Sequence, residues 1–450
     1  TAHTNVSLGE LSSEIYLALA NTHRVLHHRH IQNGSNQQDA REQNDLQTAL
    51  ADYEKAATLA SSTQLRLQPQ LNRLSLLIEA AKTNTSYLAS AQALAIALST
   101  TLPPLPPSRL SIYARINFVK SLMDLALLPS SLSRASDGEA ILNTAVQQAQ
   151  DLQDNRAYTQ ALGSLGAWYE HQKNWQQAIA LTGSALDISQ SISASDIAYQ
   201  WQWQLGRLLM QTGDKAGAIA QYTAAVETLG QLRSDLVTLN PDVQFEFRAS
   251  VEPVYRQLVD LLLHEPKPTP AQLIQAREVI EALQLAELDN FFRDACANPD
   301  VVNIDNLDPQ AAILYPIVLT DRLELILKLP GEVTLRHYVQ PTVSAALKET
   351  SQQLYDWLLK PFESVLETTI ERDLSPIKTL TFVLDDSLRN VPMAALYDGN
   401  RYLIERYAIA TTPGLNLLEP RAFPRQSLRV LLAGASDAPS FQSAQLAALD

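Results

Sequence analysis

The chain has 450 residues, more than one hydrophobic core usually serves, so we expect roughly two or three domains. Hydrophobic residues make up 46% and charged residues 18%, a balance that excludes a disordered chain and a membrane bundle. A net charge of -14 repels phosphate backbones and anionic lipid, so we expect neither nucleic acid nor membrane as a partner. The single cysteine cannot form an internal disulfide, which favours a cytoplasmic location.

Both ends of the sequence resemble internal segments. It begins at Thr1 rather than Met, and it ends at Asp450 within an amphipathic pattern, so we expect a fragment of a longer protein. No apolar run approaches the roughly 20 residues of a membrane span, and residues 1–20 lack the features of a signal peptide. A signal sequence upstream of Thr1 remains an open alternative.

The first 300 residues are rich in Ala, Leu and Gln, and a pattern recurs in them about 40 residues apart. Small and large apolar residues alternate in the order Leu-Gly-x2-Tyr followed by Ala, which resembles the tetratricopeptide repeat (TPR). The two copies are Leu165, Gly166, Tyr169, Ala178 and Ala185, and then Leu205, Gly206, Leu209, Ala218 and Ala225. Small residues at these positions let paired antiparallel helices approach closely, so the pattern predicts stacked helix pairs.

Helix boundaries are predicted where Gly, Pro, Asn and Ser interrupt the apolar pattern. The interruptions fall at residues 33–39, 102–108, 130–138, 211–214 and 264–270. They predict about six helix pairs, forming an all-α TPR-like solenoid over residues 1–297. The Pro-rich segment 102–108 is interpreted as a connecting loop, with a polyproline ligand as the alternative.

Beyond residue 300 the apolar period changes from helical to alternating. The predicted elements are a three-strand meander at 312–319, 323–329 and 333–339, a crossover helix at 343–366, buried parallel strands at 380–384 and 428–432, and a further strand at 402–409. Strand, crossover helix and strand together predict an α/β sandwich. We place a linker at 298–310 and the sandwich at 311–450.

From residues 275–296 onward, the sequence resembles the CHAT domain family as it occurs behind tetratricopeptide repeats in cyanobacterial proteins. Three segments carry the resemblance, residues 313–327, 381–396 and 402–414. The resemblance implies a caspase-like sandwich and a parent protein that is a cysteine endopeptidase. It also implies that the repeats are a protein-binding or regulatory arm, and we expect a protein or peptide partner on the concave face of the solenoid.

The chain departs from that family at the catalytic residues. The family has a catalytic His followed closely by Gly, and a catalytic Cys in a stretch like Ser-Ala-Cys-Glu, both downstream of the segment that matches residues 428–434. None of the eight histidines precedes a glycine, so no residue here inherits the dyad. We expect the dyad beyond Asp450 and an inactive fragment; the alternative is a non-enzymatic adaptor that binds proteins through its repeats.

Three polar residues crowd the end of the strand predicted at 380–384, where open α/β sheets place their ligands. They are Asp385, Asp386 and Arg389, and we take them as candidates for the substrate pocket. The alternative for the two aspartates is a helix or turn cap. No Gly-rich phosphate loop occurs in the sequence, so we expect no cofactor.

The remaining candidate nucleophiles and metal ligands lack the neighbouring sequence that a catalytic or metal site requires. Cys296 follows a helical pattern rather than a strand, and His337 lies in a predicted strand without a family counterpart. His23 and His27 share a helix face, but neighbouring arginines oppose a cation, so we expect no metal. Ser436 follows a strand as in serine hydrolases, although the helix that such a nucleophile needs is absent from the pattern.

Overall fold

The computed structural model describes residues 8–33, 39–128, 138–239, 251–292, 311–330, 332, 334–341, 351–368, 377–385, 388–389 and 391–412. Within this part of the chain, an all-α solenoid precedes a five-stranded mixed sheet. The predicted fold class, a TPR-like solenoid followed by an α/β part, is therefore confirmed.

Twelve helices form the described part of the solenoid region. They are α1 (Leu8–Asn33), α2 (Asp39–Leu59), α3 (Thr63–Ala81), α4 (Leu88–Thr101), α5 (Arg109–Ala126), α6 (Gly138–Asp151), α7 (Asn155–His171), α8 (Trp175–Ser191), α9 (Ser195–Gln211), α10 (Lys215–Leu239), α11 (Glu252–Leu262) and α12 (Pro270–Phe292). Four of the predicted interruptions coincide with helix ends, and most of the interruption at 130–138 lies outside the described residues.

The break between α2 and α3 was not predicted, because neither Gly nor Pro marks it. Ser62 ends the connection with an extended backbone, and its side chain accepts a hydrogen bond from the Leu65 backbone N–H. A serine whose side-chain oxygen accepts a hydrogen bond from a first-turn backbone N–H is a preferred N-cap of a helix.

The repeat glycines lie where paired helices touch. A Cβ on Gly166 of α7 would stand 2.6 Å from the Thr182 hydroxyl of α8, and a Cβ on Gly206 of α9 would stand 2.7 Å from the Tyr222 ring of α10. The alanines that follow in each copy are fully buried. The interpretation of the small residues as close-approach positions of helix pairs is consistent with this packing.

Four successive turns in the solenoid have the same construction. Gln153, Lys173, Ser193 and Gly213 adopt φ values of 55°, 60°, 54° and 86°, the left-handed conformation that ends many helices. After each of them, the next backbone N–H donates to the carbonyl five residues earlier, at 2.8–3.0 Å. The turns recur about every 20 residues, so one helix pair occupies the 40-residue spacing seen in the sequence.

Gly213→Ala is expected to lower the free energy of unfolding by about 1 kcal/mol, because a left-handed backbone strains a residue that has a Cβ. The space beside Gly213 is open, so no steric clash adds to this cost. The matched variant is Lys173→Gly, which relieves the same strain in an earlier turn and should not destabilise the chain. Urea unfolding followed by circular dichroism measures both, and a neutral Gly213→Ala would contradict the prediction.

The Pro-rich segment 102–108 is a connector between α4 and α5. Leu102 and Leu105 are buried in the solenoid core. The guanidinium of Arg115, which is only 1% exposed, donates to the carbonyl oxygens of Leu102 at 3.0 Å, Pro103 at 3.4 Å and Leu105 at 3.3 Å. The segment is therefore fastened into the fold by its leucines and its carbonyl groups.

The sheet has the strand order β3-β2-β1-β4-β5. Its strands are β1 (Ala311–Val318), β2 (Arg322–Lys328), β3 (Arg336–Pro341), β4 (Thr379–Val383) and β5 (Ala408–Thr412), with α13 (Ser351–Leu358) and α14 (Glu363–Thr368) between β3 and β4. The first three strands form the predicted antiparallel meander, and β4 is parallel to β1 and β5.

The strand predicted at 402–409 is largely wrong. Leu403–Glu405 form a 3-10 turn that buries Leu403 and leaves the Ile404 side chain exposed, so β5 begins only at Ala408. Before residue 408 the run pairs instead with residues 396–397, through the Tyr397–Tyr402 bridge and the Leu403 N–H bond to the Leu396 carbonyl at 2.8 Å. The strand predicted at 428–432 lies outside the described residues.

Helices cover both faces of the sheet. On one face, Ile313, Tyr315 and Ile317 belong to an apolar cluster with Leu258 of α11 and Ile280 of α12. The other face packs against α13 through Leu314, Leu325, Leu327, Leu354 and Leu358. The last helix pair of the solenoid region thus serves as one layer of the α/β sandwich, and the domain division at 297 and the linker at 298–310 stay predictions.

Candidate functional site

Asp385 lies two residues after β4 and is fully buried. One carboxylate oxygen accepts from Arg256 Nη1 at 2.7 Å and from the Val318 backbone N–H at 3.1 Å. The other accepts from Arg256 Nη2 at 2.9 Å. Both oxygens of this candidate pocket residue are therefore used by a solenoid helix and by the end of β1.

Arg256 reaches this carboxylate from α11. Its Nε donates to Glu252 at 2.6 Å, and its Nη1 also donates to the Val318 carbonyl at 3.1 Å. Burial lowers the pKa of Arg256, but the hydrogen bonds to Asp385 and Glu252 raise it by a larger amount. The net pKa therefore lies above its ordinary value. The guanidinium is permanently charged and holds two strand ends to one helix.

Helix α12 holds the residues that follow β4, and we call the described ones, Leu384, Asp385, Leu388 and Arg389, the strand-end segment. Gln284 donates to the Leu384 carbonyl at 3.3 Å, and Arg389 donates to that carbonyl at 3.2 Å. Arg389 also forms an ion pair with Glu287 of α12. Burial raises the pKa of the Glu287 carboxyl above its ordinary value, and the pair with Arg389 opposes this shift.

The structure thus brings Asp385 and Arg389 into one segment at the carboxyl end of β4, as the sequence predicted. Both side chains are engaged by the protein itself, Asp385 by α11 and Arg389 by α12. Asp386 lies outside the described residues. Their assignment to a substrate pocket stays a prediction.

An open cleft of about 450 Å³ lies beside the Arg256–Asp385 pair. It is lined by Glu252, Pro253, Arg256, Gln257, Asp260, Leu319, Thr320 and Asp321. Arg322 closes part of its rim through ion pairs with Asp260 at 2.6 Å and Asp321 at 2.9 Å. The sequence did not predict this cleft, because its two walls, α11 and the β1–β2 turn, are far apart in the chain.

A row of partly exposed polar and aromatic side chains joins α7, α9 and α11. We call Glu170, Arg207, Trp203 and Gln257 the Trp203 row. Arg207 pairs with Glu170 through two hydrogen bonds of 2.9 and 3.0 Å, and its guanidinium lies 4.7 Å from the centre of the Trp203 ring. The Trp203 indole N–H donates to the Gln257 side-chain oxygen at 2.8 Å.

The repeat pattern did not predict the Trp203 row, because the small and apolar positions of the pattern describe the buried side of each helix. The signal that was present is the placement of Trp203 and Arg207 four residues apart, on one face of a helix.

The histidines considered as ligands bind separate partners. His23 pairs with Asp45 at 3.0 Å, and His27 contacts the Glu42 carbonyl at 3.1 Å. In the part of the chain that the structure describes, no group of three or more His, Cys, Asp or Glu side chains could hold a metal ion. Cys296 and Ser436 lie outside it.

His337 and Glu324 form a buried polar pair between β3 and β2. His337 Nε2 lies 2.7 Å from one oxygen of Glu324, and Arg322 donates to the other at 2.6 Å. Glu324 shares a face of the sheet with Ile326, which packs in the cluster formed with α11 and α12, whereas the leucines of β2 lie on the face that packs against α13. His337 is packed within the fold and has a structural partner.

None of the described helices combines the length and the apolar character that a membrane span requires.

A family model, the CHAT domain, matches residues 348–449. The match includes α13, α14, β4, the strand-end segment and β5, and it confirms the family resemblance seen in the sequence. Among curated protein sequences, none matches the chain significantly.

The similar solved structures are only distantly alike. Aspartyl phosphate phosphatase F from Bacillus subtilis is 12% identical, with 56% of this chain and 65% of that chain covered and a TM-score of 0.34. A Rap protein complexed with competence and sporulation factor is 13% identical, with 56% and 68% covered and a TM-score of 0.32. A STAND ATPase with a tetratricopeptide repeat sensor from Pyrococcus horikoshii is 9% identical, with 56% and 39% covered and a TM-score of 0.32. The chain thus spans less than two thirds of the first of these proteins.

Proposed function

We propose, from the premise that residues 348–449 form a CHAT domain behind a TPR-like solenoid, that the chain belongs to a caspase-like cysteine endopeptidase regulated by protein binding. The observation that carries the proposal is the family match over the region that contains β4, β5 and the strand-end segment. In such an enzyme a His activates a Cys thiol, the thiolate attacks a peptide carbonyl, and backbone amides stabilise the oxyanion. We place the protein in the cytoplasm.

The strand-end segment would border the substrate pocket, with Asp385, Asp386 and Arg389 as the residues that shape it. Asp385 would act indirectly, by holding the segment, because Arg256 and Val318 occupy both of its oxygens. The position of the segment supports this assignment, since open sheets bind ligands at the carboxyl ends of their parallel strands.

The 450 residues are not expected to cleave peptides by themselves. No histidine precedes a glycine, and the one cysteine, Cys296, lies in no strand-end motif of the family. Incubation with fluorescently labelled casein, with and without dithiothreitol, should give no cleavage above the blank. Cleavage that Cys296→Ala abolishes would overturn this expectation.

The solenoid would bind a protein or peptide on its concave face, and the Trp203 row is the surface that best fits a peptide. It offers an aromatic ring, a guanidinium and an amide, which together can contact both side chains and backbone groups of an extended chain. These side chains are partly exposed and lie on three neighbouring helices.

Selection from a displayed random-peptide library is the direct test of this surface. Peptides selected on the wild-type chain should lose affinity by about tenfold or more on Trp203→Ala, as expected for a central aromatic contact. Asp187→Ala, on the exposed side of α8, is the matched control and should leave binding unchanged. Equal binding to the wild-type and Trp203→Ala chains would exclude the Trp203 row.

A non-enzymatic adaptor is the second candidate. It is favoured by the shared apolar cluster and by the full engagement of Asp385, which suit an α/β part that only packs on the solenoid. The coding sequence after Asp450 separates the two functions. A strand ending in His-Gly followed by one ending in Ala-Cys favours the peptidase, and their absence favours the adaptor.

A further inference from the structure

Helix α11 carries two adjacent side chains that bind different parts of the molecule. Gln257 belongs to the Trp203 row, where its side-chain oxygen accepts from the Trp203 indole at 2.8 Å and from the Tyr222 hydroxyl at 2.9 Å. Arg256 faces the sheet, where it binds Asp385 and the Val318 carbonyl. One helix is thus bonded on one side to α9 and α10, and on the other to the ends of β1 and β4.

We propose that α11 transmits occupancy of the Trp203 row to the strand-end segment, with Gln257 as the receiving residue and Arg256 as the positioning residue. The inference rests on the proposed function for its biological meaning, since the segment is the pocket border proposed above. Its physical content is a coupling between two surfaces of this chain.

The contacts around α11 favour movement of the helix as one body. Val254, Tyr255 and Leu258 are at most 2% exposed, and they lie in the cluster that α11 shares with α12 and the sheet. Close-packed side chains of this kind transmit displacements rather than absorb them. A shift of α11 at Gln257 therefore also moves the neighbouring Arg256.

The bond from Arg256 to Asp385 is suited to transmit that shift. Two parallel charge-assisted hydrogen bonds fix both the distance and the orientation of the two groups. The strand-end segment is held independently by α12, through Gln284 and Glu287. Displacement of α11 relative to α12 consequently strains the link between Asp385, which α11 holds, and the adjacent Leu384, which α12 holds.

An occupant of the Trp203 row would act on this arrangement by competing for Gln257. Any group that accepts a hydrogen bond from the Trp203 indole N–H, or that binds the Gln257 amide, replaces one of the bonds that position α11. A ligand shifts a conformational equilibrium only through such differential contacts. The difference in its binding free energy between the two states then changes the equilibrium at Asp385. Because such coupling is reciprocal, a change at Asp385 also alters the affinity of the Trp203 row for its occupant.

Hydrogen–deuterium exchange of the 450-residue chain tests the coupling without a ligand. Trp203→Phe removes the indole donor to Gln257, and Trp201→Phe on the same helix removes an indole donor to Thr159, a bond of 3.1 Å within the solenoid. The reporters are the Val318 and Leu388 amides, which donate to the side chain and the backbone carbonyl of Asp385. We expect about fivefold faster exchange there in Trp203→Phe, and no change in Trp201→Phe.

Two further variants complete the test. Gln257→Ala removes the same bond from the α11 side and should give the same change, which guards against misfolding of Trp203→Phe. In an Arg256→Lys background, which keeps the charge but loses the two-pronged contact, Trp203→Phe should have no added effect. Equal exchange in the two tryptophan variants, or an effect that persists in Arg256→Lys, would overturn the inference. The readout needs neither cleavage nor a bound peptide, so its failure is distinct from failure of the proposed function.

Discussion

Asp385→Ala is expected to lower the free energy of unfolding of the sheet by about 3–5 kcal/mol. The substitution leaves the Arg256 guanidinium, whose side chain is 19% exposed, facing an empty site with only Glu252 as a charged partner. It also leaves the Val318 N–H without its acceptor. Urea unfolding monitored by tryptophan fluorescence, with Trp357 of α13 reporting on the sheet, measures the loss.

The control for this variant is Asp321→Ala. Asp321 also pairs with an arginine beside the same cleft, but its side chain is 72% exposed, so we expect a change below about 1 kcal/mol. The double variant Arg256→Met with Asp385→Leu should recover most of the loss, because an apolar pair has no charge to desolvate. A loss in Asp385→Ala no larger than in Asp321→Ala would refute the role assigned to the pair.

Arg115→Met is expected to destabilise the solenoid by about 3 kcal/mol. Arg115 supplies donors to three carbonyl groups of the 102–105 connector, to the Ser111 carbonyl at 3.0 Å and to Gln148 at 3.1 Å. Methionine fills a similar volume but donates nothing, and each buried acceptor left unpaired costs about 1–3 kcal/mol. Thermal unfolding followed by circular dichroism measures the change.

Helix α5 itself offers the matched control, Arg109→Met. The Arg109 side chain is 63% exposed and pairs with Asp154 at 2.6 Å, so its removal should cost less than about 1 kcal/mol. If both variants lost the same stability, the loss would come from helix propensity or surface charge. The bonds from Arg115 to the connector would then add nothing measurable to the free energy of unfolding.

Helix ends could be predicted wherever a residue with a special backbone preference marks them. Gly213 marks its turn in this way, and the break after α9 was predicted. The equivalent left-handed residues Gln153, Lys173 and Ser193 carry no such mark, because the hydrogen bonds of the turn impose a conformation that these residues do not prefer. The 40-residue spacing was visible, but the turns within it were not.

The sequence predicted the strand-end residues of the candidate site but not their partners on the helices. A strand followed by polar residues predicted that Asp385 and Arg389 would lie together. Their partners Arg256 and Glu287 lie on helices where charged residues usually face solvent, and only the packing of α11 and α12 on the sheet makes these charges interior. Glu324 of β2 is fully buried for the same reason.

The apolar cluster shared by α11, α12 and the sheet has a consequence for synthesis on the ribosome. The solenoid helices emerge first, and α11 and α12 then present Leu258 and Ile280 without the strands that cover them. Val383 of β4, which belongs to the same cluster, follows roughly 90 residues after the end of α12, a delay of about 5–20 s at usual translation rates. During this interval the nascent chain carries an uncovered apolar surface, and a chaperone that binds such surfaces would increase its folding yield.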